Sequence, residues 1–116
     1  MLVEIQHTDS EDFDQSDCEA INLMSVFGVH FDTSLNEDAF DISVYFAPVL
    51  NPAAPSGYVY PSTILGTYTE YEDAMKVYTS LMKLNWMFPG YVKMPEKDGN
   101  IEGLLINWSK YFISAV

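Results

Sequence analysis

The sequence predicts an α+β fold, a single domain over residues 1–116 with one antiparallel or mixed sheet packed by two or three helices. Three observations carry that prediction. Apolar residues make up 48% of the chain and aromatic residues 15%, enough to build a core in spite of a net charge of -12. Some short segments alternate apolar and polar residues as half-buried strands do, while others repeat at helical spacing. The length of 116 residues suits one domain that needs neither disulfide nor metal to hold it together.

Taken in order, LVEIQ at the start reads as a short strand at an edge or terminus, and an acidic loop follows. Ser16 and Glu19 have the S-x-x-E spacing of a capping box, and Ala20, Leu23, Met24 and Phe27 recur at i, i+3, i+4, i+7. That pattern predicts a helix over residues 17–27, closed by Gly28. A strand competes for the segment, because Ile21, Leu23, Phe27, Val29 and Phe31 also alternate, with Ser25 the one polar intruder. Ile42, Val44 and Phe46 alternate with Asp41, Ser43 and Tyr45 as a strand that Pro48 ends. NPAAPSG is then a loop to a partner strand at residues 58–60 or 62–68.

Thr69 and Glu72 suggest a second capping box. Tyr71, Ala74, Met75, Tyr78, Leu81 and Met82 follow on one face, predicting a helix over residues 70–84. Glu70, Glu72 and Asp73 suit its first turn, where the helix dipole favours negative charge. Residues 91–94 read as a strand and EKDGN as a turn. Asn100 caps a last helix with apolar positions Ile101, Leu104, Leu105, Trp108, Phe112 and Ala115. Because Ile106, Tyr111 and Ile113 lie off that stripe, this helix is expected either in the core or at an oligomer contact, in the simplest case a homodimer.

The segment ILGTYTEYEDAMKVYTSLM with the later YVKMPE resembles small uncharacterised phage and prophage proteins that read LGxYxTxEEAxxV and then YxMPE. Leu65, Gly66 and Tyr68 match the strand end, Ala74 and Val77 the helix, and Met94, Pro95 and Glu96 the closing strand. The resemblance covers about a third of the chain. It implies a viral or mobile-element origin rather than an activity, and no functional residue is carried over. At Tyr71 to Asp73 the chain departs from the paired acids usual there.

Charge is distributed unevenly. Residues 1–75 hold fourteen acids and no Lys or Arg, while residues 76–116 hold three acids and five Lys. TDSEDFDQSDCE alone packs six carboxylates into twelve residues. Such a surface repels phosphate backbones and anionic lipid, so direct binding of nucleic acid or an acidic membrane is not expected. No apolar run approaches a membrane span and the first residues lack a signal-peptide pattern, which points to the cytosol of a host cell.

Motifs for chemistry are sparse, and no catalytic set or cofactor is predicted. Cys18 is alone, which excludes an intrachain disulfide and a zinc cluster and suits a small buried hydrophobe. His7 and His30 carry no local signature of a nucleophilic triad. Asp12, Asp14 and Ser16 occupy the first ligand positions of a calcium loop, but Asp17 stands where Gly is required and Leu23 where a bidentate Glu closes the cage, so no metal site is predicted. No glycine-rich phosphate loop occurs.

The expected function is therefore that of a small acidic, non-enzymatic inhibitor, phage or mobile-element encoded. It would block the nucleic-acid-binding site of a basic host protein such as a nuclease, a CRISPR or restriction effector or a polymerase, as a DNA or RNA mimic does. The expected partner-binding residues are Asp9, Glu11, Asp12, Asp14, Asp17, Glu19, Glu37, Asp38 and Asp41, which steer encounter, with Phe13 and Tyr45 as aromatic anchors. Phe31, Phe40 and residues 58–60 interleave the same acids. Two alternatives remain open: an immunity protein or antitoxin that covers a basic nuclease toxin, and an oligomeric protein that sequesters a small ligand.

Overall fold

A computed structural model describes residues 1–6, 19–33, 38–97 and 99–113. Helices and strands mix along the chain, as an α+β fold requires. Among the described residues the strands form three small sheets rather than the single sheet expected from sequence.

In the first sheet β1 (Leu2–Glu4) lies between β2 (Ala20–Asn22) and β8 (Tyr91–Lys93), antiparallel to β2 and parallel to β8. The second sheet is antiparallel, in the order β3 (Val26–Thr33), β4 (Phe40–Phe46), β7 (Ser62–Tyr68). Between β4 and β7 the chain continues as a two-stranded ribbon of β5 (Val49–Leu50) and β6 (Tyr58–Val59). The Phe46 amide donates to the Pro61 carbonyl at 2.8 Å and joins the ribbon to the larger hairpin. Both sequence candidates for a partner strand are thus strands: residues 58–59 pair with β5 and residues 62–68 with β4. At the ribbon tip Gly57 holds φ at 81°, a left-handed conformation that costs glycine little.

Over residues 19–27, the described part of the helix expected at 17–27, the chain instead forms β2, a 3-10 turn at Leu23–Ser25 and the start of β3. Ser16 lies outside the described residues, so its capping box stays with the sequence. From Ala20 onward the competing strand pattern wins: Val26 and Val29 are β-branched, Gly28 is a poor helix former, and backbone pairing with β1 and β4 fixes the extended form. One turn of the helical pattern survives, capped by the Asn22 side chain, which accepts from the Met24 amide at 3.0 Å.

α1 (Tyr71–Lys83) forms where the apolar spacing places it. Its N-cap is Glu70 rather than Thr69 and makes no side-chain cap bond, so the second capping box is not formed. Ala74, Val77 and Leu81 are buried against β4 and β7, whereas Tyr71 and Met82 stay exposed, so the buried stripe is centred on Val77. Phe31 and Phe40 stack with ring centroids 5.9 Å apart, and Tyr71 meets both edge-on, clamping the start of α1 to the sheet.

The last helix is shorter than expected. α2 (Ile101–Ile106) is capped by Asn100, whose side chain accepts from the Gly103 amide at 3.1 Å, and it gives way to a 3-10 turn at Ser109–Tyr111. Gly103 and Asn107 weaken the helix, and the backbone beyond it pairs with the end of α1 instead. The Asn85 amide donates to the Tyr111 carbonyl and the Ile113 amide to the Lys83 carbonyl, both at 2.8 Å. Ile101, Leu105 and Trp108 enter the core, while Leu104 and Ile106 remain at the surface. Ala115 lies outside the described residues. Among the described residues, no helix is long and apolar enough to cross a membrane.

Gln6 joins the two larger sheets. Its backbone amide donates to the Leu65 carbonyl at 2.8 Å, its side-chain oxygen accepts from the Thr67 amide and its side-chain nitrogen donates to the Pro95 carbonyl, both at 2.9 Å. Tyr68 donates its hydroxyl to the same carbonyl at 2.8 Å. Glu4, also buried, lies 3.6 Å from the Lys93 ammonium across the parallel pair.

Candidate functional site: the outer face of the second sheet

One face of the second sheet is closed by α1, because Ile42 and Val44 of β4 point into the core with Ala74, Val77 and Leu81. Strand alternation therefore turns Asp41, Ser43 and Tyr45 to the opposite, open face. In register with them, β3 contributes Asp32 opposite Asp41, His30 opposite Ser43 and Gly28 opposite Tyr45. From β7 come Thr67 opposite Asp41, Ile64 opposite Ser43 and Ser62 opposite Tyr45.

Two bulges shape this face. The register of β3 shifts between Val26 and Gly28, leaving Phe27 as an extra residue, and that of β7 shifts around Leu65. A bulge breaks the alternation of faces. Val26 thereby packs against the core, while Phe27, two residues from another core-facing position, is thrown outward and is 63% exposed.

There Phe27 meets Tyr45 and Tyr60, with ring centroids 5.9 Å from Tyr45 and 6.3 Å from Tyr60; the two tyrosines are 6.0 Å apart and nearly perpendicular. A Cβ placed on Gly28 would come within 2.2 Å of the Tyr45 ring, so the ring covers the glycine directly. These three rings with His30, Ser43 and Ser62 line an open groove of about 490 Å³.

No Lys or Arg opposes the carboxylates of this face. β3, β4 and β7 lie wholly within the residues that carry no Lys or Arg. Asp32 and Asp41 stand directly across from each other. Asp41 accepts from the Thr67 hydroxyl at 2.7 Å. The Thr33 amide, donating to Asp32 at 2.7 Å, and then His30, at 3.3 Å, hold the Asp32 carboxyl below its ordinary range, so it stays ionised. Most of the lysines are engaged elsewhere: Lys76 with Glu102, Lys93 beside Glu4, and Lys83 and Lys110 over the Phe112 and Tyr111 rings.

His30 beside a carboxylate, with serines nearby, invites comparison with a hydrolytic dyad. Both side chains are more than 60% exposed (61% and 66%), so water competes for each, and no hydrogen bond among the described residues joins His30 to Ser43 or Ser62.

Of the residues expected from sequence, Asp41 and Tyr45 share this face, and Asp38 is exposed just ahead of β4. Glu19 is exposed beside the first sheet, where its carbonyl accepts from the Ile5 amide at 2.9 Å. Asp9, Glu11, Asp12, Phe13, Asp14, Asp17 and Glu37 lie outside the described residues. Phe31 and Phe40, read as interleaving the acids, sit on the core side against Tyr71 and, for Phe31, Tyr78. Sequence reasoning missed Phe27 and Asp32 as members of the face. The available signal was Gly28, since a lone glycine inside a strand pattern marks a bulge or a close approach.

No protein-family model, curated protein or solved structure matches this chain.

Proposed function

We propose that this protein is a small acidic, non-enzymatic inhibitor, of phage or mobile-element origin, that occupies the basic nucleic-acid-binding surface of a host protein. The observation that carries the reading is the outer face of the second sheet, where Asp32 and Asp41 oppose each other with no Lys or Arg on any of its strands, beside the exposed rings of Phe27 and Tyr60 and the half-buried ring of Tyr45. Like charges directly across a strand pair destabilise a sheet. An acidic face without Lys or Arg also raises the rate of encounter with a cationic surface, and rings at its centre supply the contact area that slows dissociation.

The test is capture from host lysate on the immobilised protein at low and at high salt, with the captured protein identified and challenged with duplex DNA. A nucleic-acid-binding protein that is released as salt rises and displaced by DNA is expected. Recovery of acidic partners alone, or capture indifferent to salt and DNA, overturns the reading.

A further inference from the structure

We propose that the groove formed by Phe27, Tyr45 and Tyr60 seats one arginine side chain of the basic partner, and so fixes where that partner docks. The inference rests on the reading of the outer face given above and names the contact at its centre.

Charge selects the occupant. The first 75 residues carry no Lys or Arg, and the carboxylates of Asp32 and Asp41 share the face with the groove, so an anion is repelled from it. A second copy of this chain would bring another net charge of -12 toward the same surface, which disfavours self-association there. A cationic group is attracted by both the carboxylates and the electron-rich ring faces.

Shape and polarity narrow the choice to arginine. A groove of about 490 Å³ falls within the roughly 300–1,000 Å³ of sites that take small molecules. Tyr45 and Tyr60 stand at 89° to each other, offering one face for a flat group to stack on and a second wall beside it. Guanidinium is planar, weakly hydrated and stacks on rings, whereas ammonium is compact and strongly hydrated. The Ser43 and Ser62 hydroxyls in the lining are acceptors for its N–H groups, contacts that a purely apolar anchor leaves unused. Phe27 reaches the groove only through the bulge in β3, and bulges are the means by which strands re-aim a side chain beside a site.

The test is an NMR titration of the full chain with a blocked Gly-Arg-Gly peptide, the same peptide with citrulline for arginine, and blocked Gly-Phe-Gly. Citrulline keeps the shape of arginine and removes the charge. The arginine peptide is expected to shift the Phe27, Tyr45 and Tyr60 ring resonances, with the other two binding more weakly. Phe27→Ala and Tyr60→Ala, both at exposed positions, are expected to weaken arginine binding by about twofold to thirtyfold with little change in unfolding midpoint. Phe27→Leu and Tyr60→Leu, which keep apolar bulk without a π face, are expected to show the same loss. Equal binding of the citrulline or phenylalanine peptide, absence of ring shifts, or a dimer that buries Phe27 overturns the proposal. If the F27A/Y60A variant still captures a basic partner with full salt sensitivity, the arginine seat is wrong and the inhibitor reading stands. If the unaltered chain captures no basic partner, both fall.

Discussion

The Gln6 side chain accepts a hydrogen bond from the Thr67 amide at 2.9 Å, and through it the first sheet is fastened to the second. The Gln6 nitrogen donates to the Pro95 carbonyl, which also receives the Tyr68 hydroxyl. Removing the amide therefore leaves unequal consequences: Pro95 keeps one donor, whereas the Thr67 N–H loses its acceptor. Gln6→Ala is expected to cost about 1–3 kcal/mol from that orphaned donor, plus lost packing. Gln6→Met, which restores the volume but not the acceptor, recovers only the packing part. Urea unfolding midpoints of the two variants separate the contributions.

Gly28 and Tyr45 form a second dependent pair, since the ring lies where any Cβ at residue 28 would be. Gly28→Ala must displace the tip of the ring, which stands on the open face and can swing away, so the expected destabilisation is at most about 1 kcal/mol, below the usual range for overpacking a closed core. Tyr45→Ala in the same chain removes the clash, so the double variant should be more stable than the sum of the two single changes implies. A double-mutant cycle by thermal unfolding measures that coupling.

How far these relationships could be read from sequence depended on whether the local period ran unbroken. β4 and α1 were legible because Ile42 and Val44 alternate cleanly, and Ala74 and Leu81 recur at helical spacing. The sheet division was not, because β1, β2 and β8 are three-residue strands whose pairing joins Val3 to Val92 across almost the whole chain. Nor was the outer face. Alternation counted from Val29 puts Phe27 in the core, and only the extra residue at the bulge reverses it. Asp41 and Tyr45 were legible as candidates because they occupy the polar phase of a regular strand, whereas Asp32 became one through its pairing with Asp41, which no local pattern states.

Burial pushes the Tyr68 phenol well above its ordinary value of 10.0, with the nearby Glu96 charge adding to the effect. A proton held more tightly in the folded state than in the unfolded state gives stability that is complete below pH 10 and declines as the pH rises above it, because only the unfolded chain then ionises readily. Tyr68→Phe should remove that part of the alkaline decline and cost about 1 kcal/mol near neutrality through the lost bond to Pro95. Unfolding midpoints across the alkaline range, alongside an ultraviolet phenolate titration in which one tyrosine lags the rest, check both outcomes.

Asp32 and Asp41 link stability to the proposed function in opposite senses. The two residues are cross-strand partners on the outer face of β3 and β4, and like charges at such positions oppose pairing, so neutralising one should relieve repulsion. Asp41→Asn keeps an oxygen to accept from the Thr67 hydroxyl, and it is expected to raise the unfolding midpoint while slowing association with a basic partner. Reversing Asp32 and Asp41 together to Lys should abolish capture of that partner, whereas reversing Glu72 and Asp73, in the first turn of α1, should leave it unchanged and lower helix stability instead. Association rates at several salt concentrations, measured with unfolding midpoints for each variant, test the linkage. Equal loss of binding from both pairs of reversals would mean that net charge, rather than the outer face, governs recognition.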